Sequence, residues 1–147
     1  LYDVIMREAV SVGIGMRSPE RIDEINILQA TRLGMKNALL SLPIRPDAVI
    51  TDGNMTLDIP FPQRSIVRGD ALSYSIGAAS IVAKVYRDAL MEKYAEAYPA
   101  YGFERNKGYG TAEHIKAIKE QGLCPIHRRT FTKKLLAGGG KSLPKNI

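Results

Sequence analysis

Two aspartates stand where short apolar runs give way to glycine. Ala48-Val49-Ile50-Thr51 leads into Asp52-Gly53-Asn54, and Ser65-Ile66-Val67 leads through Arg68-Gly69 to Asp70. A strand that delivers a carboxylate at its carboxyl end is a common way to build a site on a rigid scaffold. Two such carboxylates converging offer oxygen ligands suited to a hard divalent cation. A cation held there can generate a hydroxide nucleophile and steady the leaving oxygen of a phosphodiester. On spacing alone, Asp-Gly and Gly-Asp are more often ordinary turns.

Lys107-Gly108-Tyr109-Gly110-Thr111 has the character of a nucleic-acid contact loop. Glycine on both sides of Tyr109 lets backbone approach a ligand closely. Tyr109 could then stack on a sugar or base and Lys107 meet a phosphate; a loop with a core tyrosine fits equally well. Arg128, with Arg129, Lys133 and Lys134, could touch phosphate or form a solvated face. Asp23-Glu24 is a weaker pair. It falls in the first turn of an expected helix, where acids favour the dipole, and helical neighbours diverge by about 100°. His114 and His127 lack the His-x-x-x-His spacing of a metal pair, and His114 reads as structural, near a helix start. Lys84 and Asp88 suit a surface i,i+4 pair. Cys124 has no His–Asx system beside it and reads as an inert, partly buried thiol.

The elements that must position these residues follow from periodicity. Residues 6–16 place Val10, Val12 and Ile14 in alternation with small or polar residues, which predicts a strand with one buried face. Ser18-Pro19-Glu20 is a helix start, and helical spacing continues from Ile22 to Leu42 until Pro43 and Pro46. The runs before Asp52 and Asp70 predict short strands. A long helix is expected over about 71–97, rich in small residues in its first half and ended by Tyr98-Pro99. Residues 106–111 form a loop, and a helix runs from Thr111 to Gln121 with Gly122 as its C-cap. This order predicts an α/β domain.

The 147 residues, 45% of them hydrophobic, suit one globular domain with a real core. Net charge is +6, a surplus that favours an anionic partner such as nucleic acid. No apolar run approaches the ~20 residues of a membrane span. Leu1-Tyr2-Asp3-Val4 has neither an initiating Met nor the pattern of a signal peptide. A single Cys excludes an intramolecular disulfide and a Cys-based zinc site, and a cytoplasmic location is expected.

Residues 67–88, which open Val67-Arg68-Gly69-Asp70 and close Tyr86-Arg87-Asp88, resemble the long signature of the ribonuclease HII family. Four further stretches agree in the family's order: Ile22-Asp23-Glu24-Ile25-Asn26-Ile27, Thr51-Asp52-Gly53-Asn54, the run from Lys107 to His114, and His127-Arg128-Arg129-Thr130-Phe131. The resemblance spans about residues 5–131.

The resemblance implies an α/β, ribonuclease H-like fold, a mixed central sheet flanked by helices. Residues 1–137 would form a partial catalytic domain and 138–147 a flexible tail. It implies a monomeric endonuclease that acts on the RNA strand of RNA–DNA hybrids and cuts 5′ of ribonucleotides embedded in duplex DNA, as in ribonucleotide excision repair. Mg²⁺ or Mn²⁺ would serve as cofactor, and the products would carry 3′-hydroxyl and 5′-phosphate ends. Asp52 matches the family's third catalytic, metal-binding acid, Asp70 its fourth, and Tyr109 the tyrosine that packs on the sugar at the RNA–DNA junction. The family opens with a strand bearing an adjacent Asp-Glu pair and then Gly-Arg-Gly, which nothing here matches. The expectation is therefore a chain lacking its first strand or strands and two of four metal ligands, with little cleavage of its own. A noncatalytic nucleic-acid-binding fragment, or one half of a split enzyme, is the alternative. Asn106 also stands where the family often has His, and Gly77 where it has Ala.

Overall fold

Ser18 caps its helix as the local sequence predicts: the hydroxyl accepts from the Arg21 N–H at 3.3 Å, and Pro19 takes the first helical position. The structure, a computed structural model, describes residues 1–137; the tail expected at 138–147 lies outside the described residues. Two units are distinguished, residues 1–85 and the residues from Tyr86 onward, with the division falling inside one helix.

The first unit contains α1 (Tyr2–Glu8), α2 (Pro19–Leu40), β1 (Val49–Asp52), β2 (Gln63–Ile66), α3 (Gly69–Leu72) and the start of α4 (Tyr74–Ala97). The strand expected over 6–16 does not form. Its first residues belong to α1, and the chain leaves that helix extended at Ala9, with φ −66° and ψ 134°. A strand needs a neighbour to close its N–H and C=O groups, and the described residues supply none. Its small-residue side lies on α2 instead, so close that a Cβ on Gly15 would overlap the Gly34 carbonyl. Val10 and Ile14, expected on the buried face, are exposed.

Periodicity also concealed a kink in α2. Asn26 has φ 68° and ψ 165°, and its Oδ1 accepts from the Gln29 N–H at 3.1 Å. The second part of the helix thus has its own side-chain cap.

β1 forms where expected; β2 (Gln63–Ile66) starts two residues earlier than expected and leaves Val67 exposed in the turn that follows. The two strands pair in parallel, with Val49 opposite Gln63 and Asp52 opposite Ile66. Among the described residues the sheet consists of this parallel pair, narrower than the mixed sheet expected. The intervening loop is pinned to it: Gln63 exchanges two hydrogen bonds with the Leu57 backbone, at 2.7 and 2.8 Å, and the Ser65 hydroxyl donates to the Met55 carbonyl at 2.6 Å. The single helix expected over 71–97 is two helices, α3 and α4. Ser73 between them is extended, φ −130° and ψ 123°, and its hydroxyl faces the Ile76 N–H at 3.5 Å.

The second unit contains the rest of α4, a 3₁₀ turn (Pro99–Tyr101), α5 (Phe103–Asn106), α6 (Ala112–Gln121) and α7 (Arg129–Ala137). Thr111 caps α6 by accepting from the His114 N–H at 3.2 Å, and Gly122 closes it at φ 79°. Tyr101, Phe103, Ala117, Ile118 and Leu135 form its core. No helix among the described residues is long and apolar enough to cross a membrane.

Candidate active site

Asp52 ends β1, the position the sequence assigned to it. Its Oδ1 accepts from two backbone amides, Gly53 N–H at 2.8 Å and Gly69 N–H at 2.7 Å. These two bonds fix the orientation of the carboxylate. Gly69 is buried, and a Cβ there would sit 2.6 Å from Ile76 Cδ1, so a larger residue would have to push the end of the Ile76 side chain aside. Asp70 is the next residue along. It lies in the first turn of α3, is exposed, and accepts from the Ala71 N–H at 2.9 Å through Oδ1. Among the described residues no hydrogen bond engages Oδ2 of either acid. The fold thus links the two carboxylates through the amide that holds one and precedes the other.

Glu24 pairs with Arg21 at 2.7 Å on the surface of α2.

The second unit holds the other candidates. Tyr109 is 47% exposed, with the Arg87 guanidinium 4.8 Å from its ring centroid. Cation–π contact on one face leaves the tyrosine supported and still presented to solvent. Lys107 carries its charge against Glu92 at 2.9 Å and adopts a left-handed backbone, φ 49°. Arg128 lies over the Phe131 ring at 4.5 Å.

Three residues to which the sequence analysis gave no part in the site hold this loop, His114 among them in the structural role expected of it. Asn106 is buried; its Nδ2 donates to the Tyr101 carbonyl at 2.7 Å, and its Oδ1 accepts from the Gly108 N–H at 2.8 Å. His114 is buried too, with Nδ1 2.8 Å from the Tyr109 carbonyl and Nε2 3.0 Å from His127 Nε2. Burial pushes both imidazoles below their ordinary pKa, and for His127 the neighbouring His114 adds to the shift. An Asn two residues before a Gly-x-Gly loop was the available signal for the first; the histidine contact joins residues too far apart in sequence to leave one. Cys124 fits its inert reading, since burial pushes its thiol pKa up.

The model of the family described as Ribonuclease HII matches residues 2–134. Proteins named Ribonuclease HII are 53% identical over 132 residues in Levilactobacillus brevis, covering 90% of this chain and 51% of that protein. The Lachnoclostridium phytofermentans protein of that name is 54% identical over 135 residues, covering 92% of this chain and 53% of the relative. The chain therefore spans about half the length of these curated relatives. Among solved structures, the ribonuclease H2 from Pyrococcus horikoshii OT3 aligns with a TM-score of 0.70 at 20% identity, covering 93% of this chain and 74% of that one. That likeness gives the fold, α/β and ribonuclease H-like. With the family model matching nearly the whole sequence, the chain belongs to the ribonuclease HII family.

Proposed function

We propose that this chain carries part of the active site of an endonuclease that hydrolyses the RNA strand of RNA–DNA hybrids and cuts 5′ of single ribonucleotides in duplex DNA, leaving 3′-hydroxyl and 5′-phosphate ends. The observation that carries this reading is the Asp52 carboxylate, fixed by two amides at a strand end with Asp70 one residue beyond the second amide. In this reading residues 1–137 work as one catalytic domain of a monomeric, cytoplasmic protein.

A hard divalent cation, Mg²⁺ or Mn²⁺, fits these residues in donor chemistry, since each acid keeps an oxygen clear of hydrogen bonds among the described residues. In number they fall short of a full shell: no group of three or more His, Cys, Asp or Glu side chains gathers among the described residues. Asp52 and Asp70 would be the residues that hold the ion. When bound, it supplies the Lewis acidity that makes hydroxide available near neutral pH and neutralises the leaving oxygen.

The chain's own residues do the rest. The Gly53 and Gly69 amides keep Asp52 oriented, so its free oxygen needs no reorganisation on binding. Tyr109, backed by Arg87, packs on the sugar at the RNA–DNA junction. Lys107 and Arg128 meet backbone phosphates, which makes binding weaken with salt.

The absence of a three-ligand group favours a second reading, in which this chain binds hybrid duplex and cuts only with ligands from another segment, as one half of a split enzyme. One experiment separates the two. The chain is incubated with duplex DNA carrying one ribonucleotide, in Mn²⁺ and then Mg²⁺, beside an Asp52→Asn control. Cleavage 5′ of the ribonucleotide that disappears in the control supports the catalytic reading. Binding that persists in a chelator, with no product, supports the second. Neither binding nor cleavage by the folded chain refutes both.

A further inference from the structure

His114 and His127 face one another inside the second unit, and their neighbours dictate where each proton sits. The Cys124 N–H donates to His127 Nδ1 at 2.9 Å, so that nitrogen carries no proton. The Tyr109 carbonyl can only accept, so His114 Nδ1, 2.8 Å away, must carry one. With both rings neutral, His127 is protonated at Nε2 and His114 is not. The 3.0 Å contact between the two Nε2 atoms is then a hydrogen bond from His127 to His114. This arrangement satisfies all four ring nitrogens, and no other placement of two protons does.

A third proton has only two places to go, and each is already accepting. On His114 Nε2 it sets two N–H groups against each other. On His127 Nδ1 it confronts the Cys124 N–H. We propose that the His114–His127 pair is the positioning element of the Tyr109 loop, and that protonating the pair displaces the His114 ring and frees the Tyr109 carbonyl.

The Tyr109 carbonyl favours a charged His114, but burial outweighs it, and the rest of the surroundings is mostly apolar. Phe103 packs edge-on to His114 at 5.4 Å, and Tyr101 edge-on to His127 at 5.0 Å. Met91 of α4, Ile118 of α6 and Leu135 of α7 line the same small cavity. The charged side chain lining it is Arg128, of the wrong sign. The Tyr101 phenol and the Cys124 thiol are held neutral, burial raising both pKa values. No carboxylate lines the cavity among the described residues. The depressed imidazole pKa values agree with this geometry. The functional consequence rests on the nucleic-acid role proposed for Tyr109: the loop should grip hybrid duplex near neutral pH and lose it in acid.

The chain has two histidines, so an imidazole ¹⁵N spectrum reports on this pair alone. Near neutral pH the expected spectrum shows His114 protonated at Nδ1 and His127 at Nε2. Between about pH 7.5 and 5, both rings should titrate below the usual imidazole midpoint, and the Tyr109 and Gly110 amide resonances should shift with them. Affinity for an RNA–DNA hybrid should fall on the order of fivefold across that midpoint, the loss of one net hydrogen bond. Added positive charge by itself would tighten binding, so the sign is diagnostic. His114→Asn keeps a donor near the Tyr109 carbonyl without a titrating ring, and its affinity should not fall in acid. Opposite tautomers, or Tyr109 resonances indifferent to the midpoint, overturn the proposal. If the resonances shift as expected while Tyr109→Ala binds hybrid normally, the nucleic-acid role of Tyr109 fails and the positioning role of the pair stands. Should His114→Asn fail to fold, the wild-type spectra decide alone.

Discussion

Gly69→Ala tests whether close packing beneath Asp52 is what the glycine is for. An added Cβ would lie 2.6 Å from Ile76 Cδ1, 3.4 Å from Ile66 Cβ and 3.5 Å from Asp52 Cα. The first contact is far inside van der Waals range, and Ile76 is 7% exposed, so its methyl has little room to retreat. Overpacking of this kind costs about 1–3 kcal/mol. Alanine regains up to about 1 kcal/mol over glycine in a helix, and a net loss of about 1–2 kcal/mol follows. For a chain of this size each kcal/mol moves Tm by about 2–4 °C. Ile76→Val removes the offending methyl and alone costs about 0.5–1.5 kcal/mol. The double variant should be at least as stable as Gly69→Ala, a favourable coupling of about 1 kcal/mol between neighbours. Thermal unfolding of the four proteins by circular dichroism measures this. Strictly additive losses would refute the packing reasoning.

Tyr109→Ala should weaken hybrid binding about tenfold, the worth of one stacking contact, and leave Tm unchanged because the ring is half exposed; a fall in Tm with unchanged affinity would oppose this. Asn106→Leu leaves the Tyr101 carbonyl and the Gly108 N–H unpaired in a buried site, a loss of about 2–4 kcal/mol, to be read as a lowered urea midpoint. The histidines give a pH dependence of defined sign. Their folded pKa values lie below the ordinary 6.5, so in mild acid the unfolded chain binds more protons than the folded one. Their contribution is complete above pH 6.5 and drains away as pH falls towards the folded values. Urea midpoints should decline over that window, and a flat or rising profile would contradict it.

Features that depend on neighbours in sequence were legible. Ser18, Thr111 and Gly122 cap the helices their chemistry predicts, the apolar run before Asp52 became β1, and the run before Asp70 overlaps the end of β2. Features that depend on partners distant in sequence were not. The alternation over residues 6–16 looked like a strand, but a strand is defined by its neighbour, and the glycine side of that segment packs on α2 instead. Helical spacing continues across Asn26 and Ser73, so the interruptions there escaped; both residues cap the helix that follows. At the candidate site, residue type and the preceding apolar runs nominated Asp52 and Asp70; Asp52 does end β1, whereas Asp70 lies in the first turn of α3. The amide of Gly69 that connects them, the Arg87 support behind Tyr109 and the histidine pair beneath it depend on tertiary contact and left no periodic trace.

The central claim is that Asp52 and Asp70 act together on one divalent ion. Mn²⁺ binding followed by electron paramagnetic resonance tests it without requiring turnover, using the wild-type chain, Asp52→Asn, Asp70→Asn and the double variant. Each single change should abolish most Mn²⁺ binding, about tenfold or more in affinity, and the double should lose little beyond either one. Single variants that bind Mn²⁺ as the wild type does would contradict the claim.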